Sequence, residues 1–144
     1  MSRALVVEVG RERFGLPVER VSAVFRVDGL TRVPLTAPEI AGLHNLRGRT
    51  VAVVHLARKF STEAEEIGER PLAVTIDADS DSFAVIVDDV GDVVDLPAGA
   101  RIEAPAHRNA RRAALTAAVY RIGEDVLPIL DVNRLFEPAP EPAE

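Results

Sequence analysis

Three histidines, 23 acidic side chains and no cysteine bound the chemistry open to this chain. His44, His55 and His107, with Asp88 or Asp131, are residue types that could hold zinc, but they are scattered and show no ligand spacing. Asp77-Ala78-Asp79-Ser80-Asp81, followed by Asp88, has the alternating acids of a calcium loop. Its sixth position is Ser82, not the glycine a sharp loop requires, and strand-like runs rather than helices flank it. A polar hairpin accounts for it better. No Gly-rich phosphate loop, G-x-S-x-G elbow or Ser-His-Asp arrangement is present, and the lack of cysteine removes disulfides and thiolate catalysis. No catalytic residue, metal ligand or cofactor is assigned, and a non-enzymatic protein is expected.

One cation stands out instead. Asn45-Leu46-Arg47-Gly48 leads into the apolar run Val51-Ala52-Val53-Val54. A glycine turn with arginine at its apex would place a guanidinium beside apolar surface, its stem lying on Leu43, Leu46 and Val51. Arginine is enriched at binding hot spots, so the stretch suits gripping a partner. Arg108, Arg111 and Arg112 could form a second basic spot, but a solvated helix face explains them.

Charge narrows the partner. The net charge of −6 and pI near 5.1 disfavour a nucleic-acid binder, which needs a basic stripe to displace counterions. One tyrosine and five phenylalanines leave little for base stacking. No apolar run approaches the ~18 residues of a membrane span. The amino terminus lacks a signal peptide's apolar core. A soluble cytoplasmic protein without membrane insertion is expected.

The elements that must position Arg47 are short strands. Val, Leu, Ile and Ala dominate the 47% hydrophobic content, against 4% aromatics. Strands are predicted over 4–9, 14–18, 21–27, 50–56, 72–76, 83–87, 90–96, 115–122 and 126–130. Short helical turns are predicted at 38–41, 57–60, 108–115 and 133–136. The chain also repeats itself. Residues 14–21 align with 83–90, a register that carries Val24 onto Val93, and 52–60 align with 128–136. Each half reads as strand, acidic turn, strand, loop, strand and closing helical turn. Closed barrels suit such strands because closure removes unpaired edges. Residues 138–144, rich in proline and glutamate, are expected to be disordered.

In order and detail these features resemble the CheW family, the coupling proteins of bacterial chemosensory arrays. The resemblance rests on Phe14-Gly15-Leu16-Pro17-Val18-Glu19-Arg20-Val21, on Gly42-Leu43-His44-Asn45-Leu46-Arg47-Gly48, and on Val85-Ile86-Val87-Asp88-Asp89-Val90 with Leu127-Pro128-Ile129-Leu130. The Gly-x-x-Asn-Leu-Arg-Gly segment is the most specific. The resemblance implies an all-β fold of two SH3-like five-stranded β barrels packed on a shared apolar core, with short helical turns. It implies one domain over 1–137, its intertwined lobes at approximately 15–70 and at 1–14 plus 71–137. It further implies an adaptor that couples the cytoplasmic tip of a chemoreceptor to the regulatory domain of a CheA-type histidine kinase. Val21, Gly42, Arg47, Val90 and Val93 would line the receptor-binding groove, and Asn45, Leu46 and Gly48 would shape the arginine's loop.

The chain departs from the family at several places. Ala23 stands where many members carry a glutamate that holds the loop arginine, leaving Glu19, Asp92 or the receptor as partners for Arg47. Ala52, His55 and Ala117 replace a usual proline, aspartate and glycine. The alternative readings are a CheW-like module of a non-chemotactic kinase pathway, and a small-ligand-binding or catalytic β barrel using the inter-lobe cavity.

Overall fold

The computed structural model describes residues 2–31, 40–60, 67–78, 81–103 and 113–135. The predicted turns around 38–39 and 108–112, Phe136, His107, Arg108, Arg111, Arg112 and the tail lie outside those residues.

Among the described residues eleven strands form two sheets. The first half supplies β1 (Ser2–Val9), β2 (Glu12–Pro17), β3 (Val21–Arg26), β4 (Ile40–Leu46) and β5 (Arg49–His55), then α1 (Leu56–Phe60). The second supplies β6 (Leu72–Ala78), β7 (Asp81–Val87), β8 (Asp89–Leu96), β9 (Arg101–Ile102), β10 (Thr116–Ile122), β11 (Asp125–Leu130) and α2 (Val132–Leu135). All nine predicted strands are found. Ile40 and Ala41, expected in a helical turn, instead open β4, because Ile40 pairs with Val54 and Gly42 with Val53, leaving Ala41 in the bulge between them. The acidic stretch around Asp77 lies on a β6–β7 hairpin as expected, with the Ser82 hydroxyl donating to the Asp77 carboxylate at 2.7 Å.

The halves exchange strands. One sheet runs β8-β1-β2-β11-β10-β9 and the other β3-β6-β7-β5-β4. Hairpin β1–β2 thus joins the strands of the second half, with β2 beside β11. Hairpin β6–β7 joins those of the first, with β7 parallel to β5 over Ala52–His55. By sequence alone 71–87 groups with the second lobe, but it hydrogen-bonds in the sheet of β3, β4 and β5. The chain beyond β3 returns to close this sheet, where Thr31 exchanges both backbone hydrogen bonds with Leu43 of β4. The two-residue β9 makes the other sheet six-stranded.

Strand alternation explains why the central strands are apolar throughout. Along β7, Phe83, Val85 and Val87 enter a core shared by both sheets, while Ala84 and Ile86 fill the interior behind the second sheet. Along β1, Leu5, Val7 and Val9 enter the shared core and Ala4 the interior behind the first. Helices α1 and α2 seal the shared core with Leu56, Val132 and Leu135, and Phe60 stacks on Phe14 at 4.8 Å between ring centroids. Two sheets, each buried on one face against the other and on the other face against its own interior, make the expected two-lobed all-β architecture.

Candidate functional site: the open edge of the shared core

β3 and β8 are the outermost strands of their sheets. Val21 pairs with Ile76 and Val24 with Val74. Val90 pairs with Val7 and Val93 with Leu5. All four partners belong to the shared core, and residues directly opposite one another point to the same face. The four valines therefore extend that core outward. Val21 and Val24 are three residues apart and would face opposite ways in a regular strand. A bulge between Val21 and Ala23 brings them to one face. β8 carries the same device, because Gly91 and Asp92 oppose the single Val6 of β1.

Burial grades outward along each strand. Val21 and Val90 are half-buried against the core, whereas Val24 and Val93 are each 46% exposed. With Val126 at 44%, they are the exposed large hydrophobic residues among those described. Val24 was not among the residues singled out from the motif. The repeat register that maps it onto Val93 is the signal that identifies it.

The Arg47 turn has the predicted form. Leu46 pairs with Arg49, leaving Arg47 and Gly48 as the two turn residues, with φ of 54° and 84°. Positive φ at both positions is the type I′ geometry that matches strand twist. The Asn45 side-chain oxygen accepts from the Gly48 amide at 2.9 Å and holds the turn. Half-buried Leu46 anchors the end of β4, and Val51, Val53 and Val54 of β5 are buried, so the arginine does stand ahead of a buried strand. Arg47 itself is exposed. Among the described residues no hydrogen bond or ion pair engages its guanidinium, whether from Glu19, from Asp92 or from another acid.

Two contacts place this turn relative to β3. Thr31 pairs antiparallel with Leu43, and Phe25 stacks on His44 at 5.4 Å. As β4 continues toward Arg47, β3 runs back toward Val21, so the turn lies toward the Val21 end of β3. Gly42 acts differently from the other motif residues. It is buried, its φ is 155°, and a Cβ there would overlap the Thr31 carbonyl. It permits the closure of the sheet and presents no side chain to a partner.

No cluster of three metal-ligating side chains occurs among the described residues. His55 is buried, and burial first, then nearby Arg58, holds its pKa below 6.5 against the opposing pull of Asp88. A depression of about 500 Å³ lies away from the four valines, between β9, β10 and the turn before them, lined by Arg101, Glu103 and Thr116 among others. Among the described residues no helix is long and apolar enough to cross a membrane.

Residues 3–139 match the CheW-like domain model, nearly the whole chain. The chain belongs to the CheW-like family. Among curated relatives of this CheW-like chain, the chemotaxis protein CheW of Klebsiella aerogenes is 26% identical over 132 residues, covering 92% of this chain and 80% of the relative. That of Treponema pallidum is 22% identical over 133 residues, covering 90% and 78%. The crystal structure of the scaffolding protein TtCheW from Thermoanaerobacter tengcongensis superposes with a TM-score of 0.85 at 21% identity, covering 96% of this chain and 94% of that one. The CheW fold, with its two SH3-like β domains, is therefore the fold of this chain.

Proposed function

We propose that this CheW-like chain is a non-enzymatic cytoplasmic adaptor that couples chemoreceptors to a CheA-type histidine kinase. The observation that carries the reading is the apolar edge of the shared core, Val21, Val24, Val90 and Val93, with the exposed Arg47 turn toward its Val21 end. Membership of the CheW-like family supports the cytoplasmic tip of a receptor as the occupant of this edge. The kinase's regulatory domain takes the barrel ends.

An exposed apolar strip rimmed by a cation suits an amphipathic helical partner better than a small molecule, which needs an enclosed pocket with converging polar groups. Individually modest contacts become firm when many copies assemble, because each bound contact raises the effective concentration of the next. The test is titration of the purified chain with a receptor-tip fragment, then with a CheA-type regulatory domain. Saturable binding of both supports coupling. Binding of the kinase domain alone would move the reading to an interaction module that works without receptors, and binding of neither would overturn it.

A further inference from the structure

The edge of the shared core is built twice, and the two copies share a strand pattern but are flanked by opposite charges. Val21, the bulge and Val24 on β3 repeat as Val90, the bulge and Val93 on β8. The two exposed valines have the same 46% exposure. Two residues beyond each, on the same face, stands a charge: Arg26 on β3 and Asp95 on β8.

The turns that follow the repeat also differ. The first half has Arg47 and Arg49 around its β4–β5 turn, and the second has Glu124 and Asp125 around its β10–β11 turn. Internal pairing does not remove the contrast. Asp95 is shared with Arg3 at 3.2 Å, but both side chains are more than half exposed, and such surface pairs contribute little. Arg26 donates to a backbone oxygen, that of Arg70 at 3.3 Å, and among the described residues no acid is paired with it.

An apolar surface with approximate two-fold symmetry would accept one amphipathic segment in two orientations of nearly equal energy. Charge is then what selects between them, since complementarity fixes register and penalises the reversed arrangement. Resting on the receptor-binding reading above, we infer that the opposed charges of the two halves set the direction in which a helical receptor tip lies along this edge. The flank of the tip that carries acidic side chains lies at the β3 half, which has Arg26 beyond Val24 at one end and the Arg47 turn toward Val21 at the other. Its basic flank lies at the β8 half, near Val93 and Asp95. Val24 is thereby assigned as a contact residue equivalent to Val93.

The chain has no cysteine, which makes cross-linking direct. Val24→Cys and Val93→Cys, both at exposed positions, are each mixed with a chemoreceptor-tip fragment bearing one cysteine on its acidic or its basic flank. The expected yield favours Val24→Cys with the acidic flank and Val93→Cys with the basic flank by at least about fivefold. Exchanging charge through Arg49→Glu with Asp125→Arg should move the ratio toward unity or beyond. Equal yields from both flanks, or a ratio unmoved by the exchange, would overturn the orientation rule while leaving receptor binding intact. Adducts at Val93→Cys but not Val24→Cys would overturn the duplicated edge. If the unlabelled tip fails to bind the native chain at all, the receptor reading falls and the rule with it.

Discussion

The two hairpin turns that occupy equivalent places in the repeat make an informative pair. Arg47-Gly48 has positive φ at both positions, and Gly123-Glu124 only at the glycine, φ 63°. The first is a type I′ turn and the second type II′, so both respect the twist of their strands. They differ in what they present. The second places glycine at the position that demands a left-handed backbone and sets an acid beside it. The first places arginine there, in a conformation unfavourable to any residue with a Cβ. Arg11 and Arg70 share positive φ, so strain alone singles out nothing. What distinguishes Arg47 is strain at the one of these turns that stands toward an open apolar edge. One half kept the easier turn, and the other kept the cation.

The strongest test of the equivalence lies in the core. Phe14 and Phe83 are repeat counterparts, both buried in the shared core. Phe14→Ala and Phe83→Ala should each cost about 3–5 kcal/mol in denaturant unfolding. A loss confined to one of them would show that the halves do not share the core evenly.

Next in size is binding. Arg47→Ala should weaken receptor-tip affinity by about 1–3 kcal/mol with the unfolding midpoint little changed. Isothermal titration giving the native affinity for that variant would remove Arg47 from the site.

A smaller effect separates strain from function. Arg47→Gly relieves the left-handed cost and should raise stability by about 1 kcal/mol while still losing binding. Thermal melts that fall instead would mean the arginine supports the turn, not the partner.

The smallest effect concerns His55, whose repeat counterpart is Asp131. Its folded pKa lies below 6.5, so the unfolded chain binds the proton more readily. Stability from this group is fully present above 6.5 and declines as pH falls below it, until the folded imidazole also protonates. In urea midpoints measured from pH 7.5 downward, His55→Gln should flatten that decline. Parallel curves for the two proteins would assign the acid sensitivity to other groups.

Much of this was legible in the sequence, and the exceptions share a cause. Uninterrupted valine-rich runs such as 83–87 marked their strands because both faces are buried. β4 escaped because Gly42, His44 and Asn45 are poor strand formers, and what holds it is pairing to β5 and closure against Thr31, neither visible locally. The Asn45–Gly48 turn was readable because its chemistry is contained in four residues. The partnership of β6 and β7 with the first half was not, because parallel pairing to β5 is a long-range choice that leaves no local mark. Val24 fell between. Its place in the repeat was visible, but only the bulge and the pairing to Val74 show that it faces the same way as Val93.

Strand exchange also constrains the order of events as the chain is made. Hairpin β1–β2 is made well before one of its neighbours, β11, and Gly15 meets Ile129 only once β11 has followed it. The first half cannot complete its own sheet until β6 and β7 have left the ribosome. Neither repeat is a folding unit, and a cut at their junction leaves two fragments with unpaired edges. Such distant pairing slows folding and lengthens the time that apolar strands are exposed. The two matched halves therefore cannot be parted by splitting the chain between them.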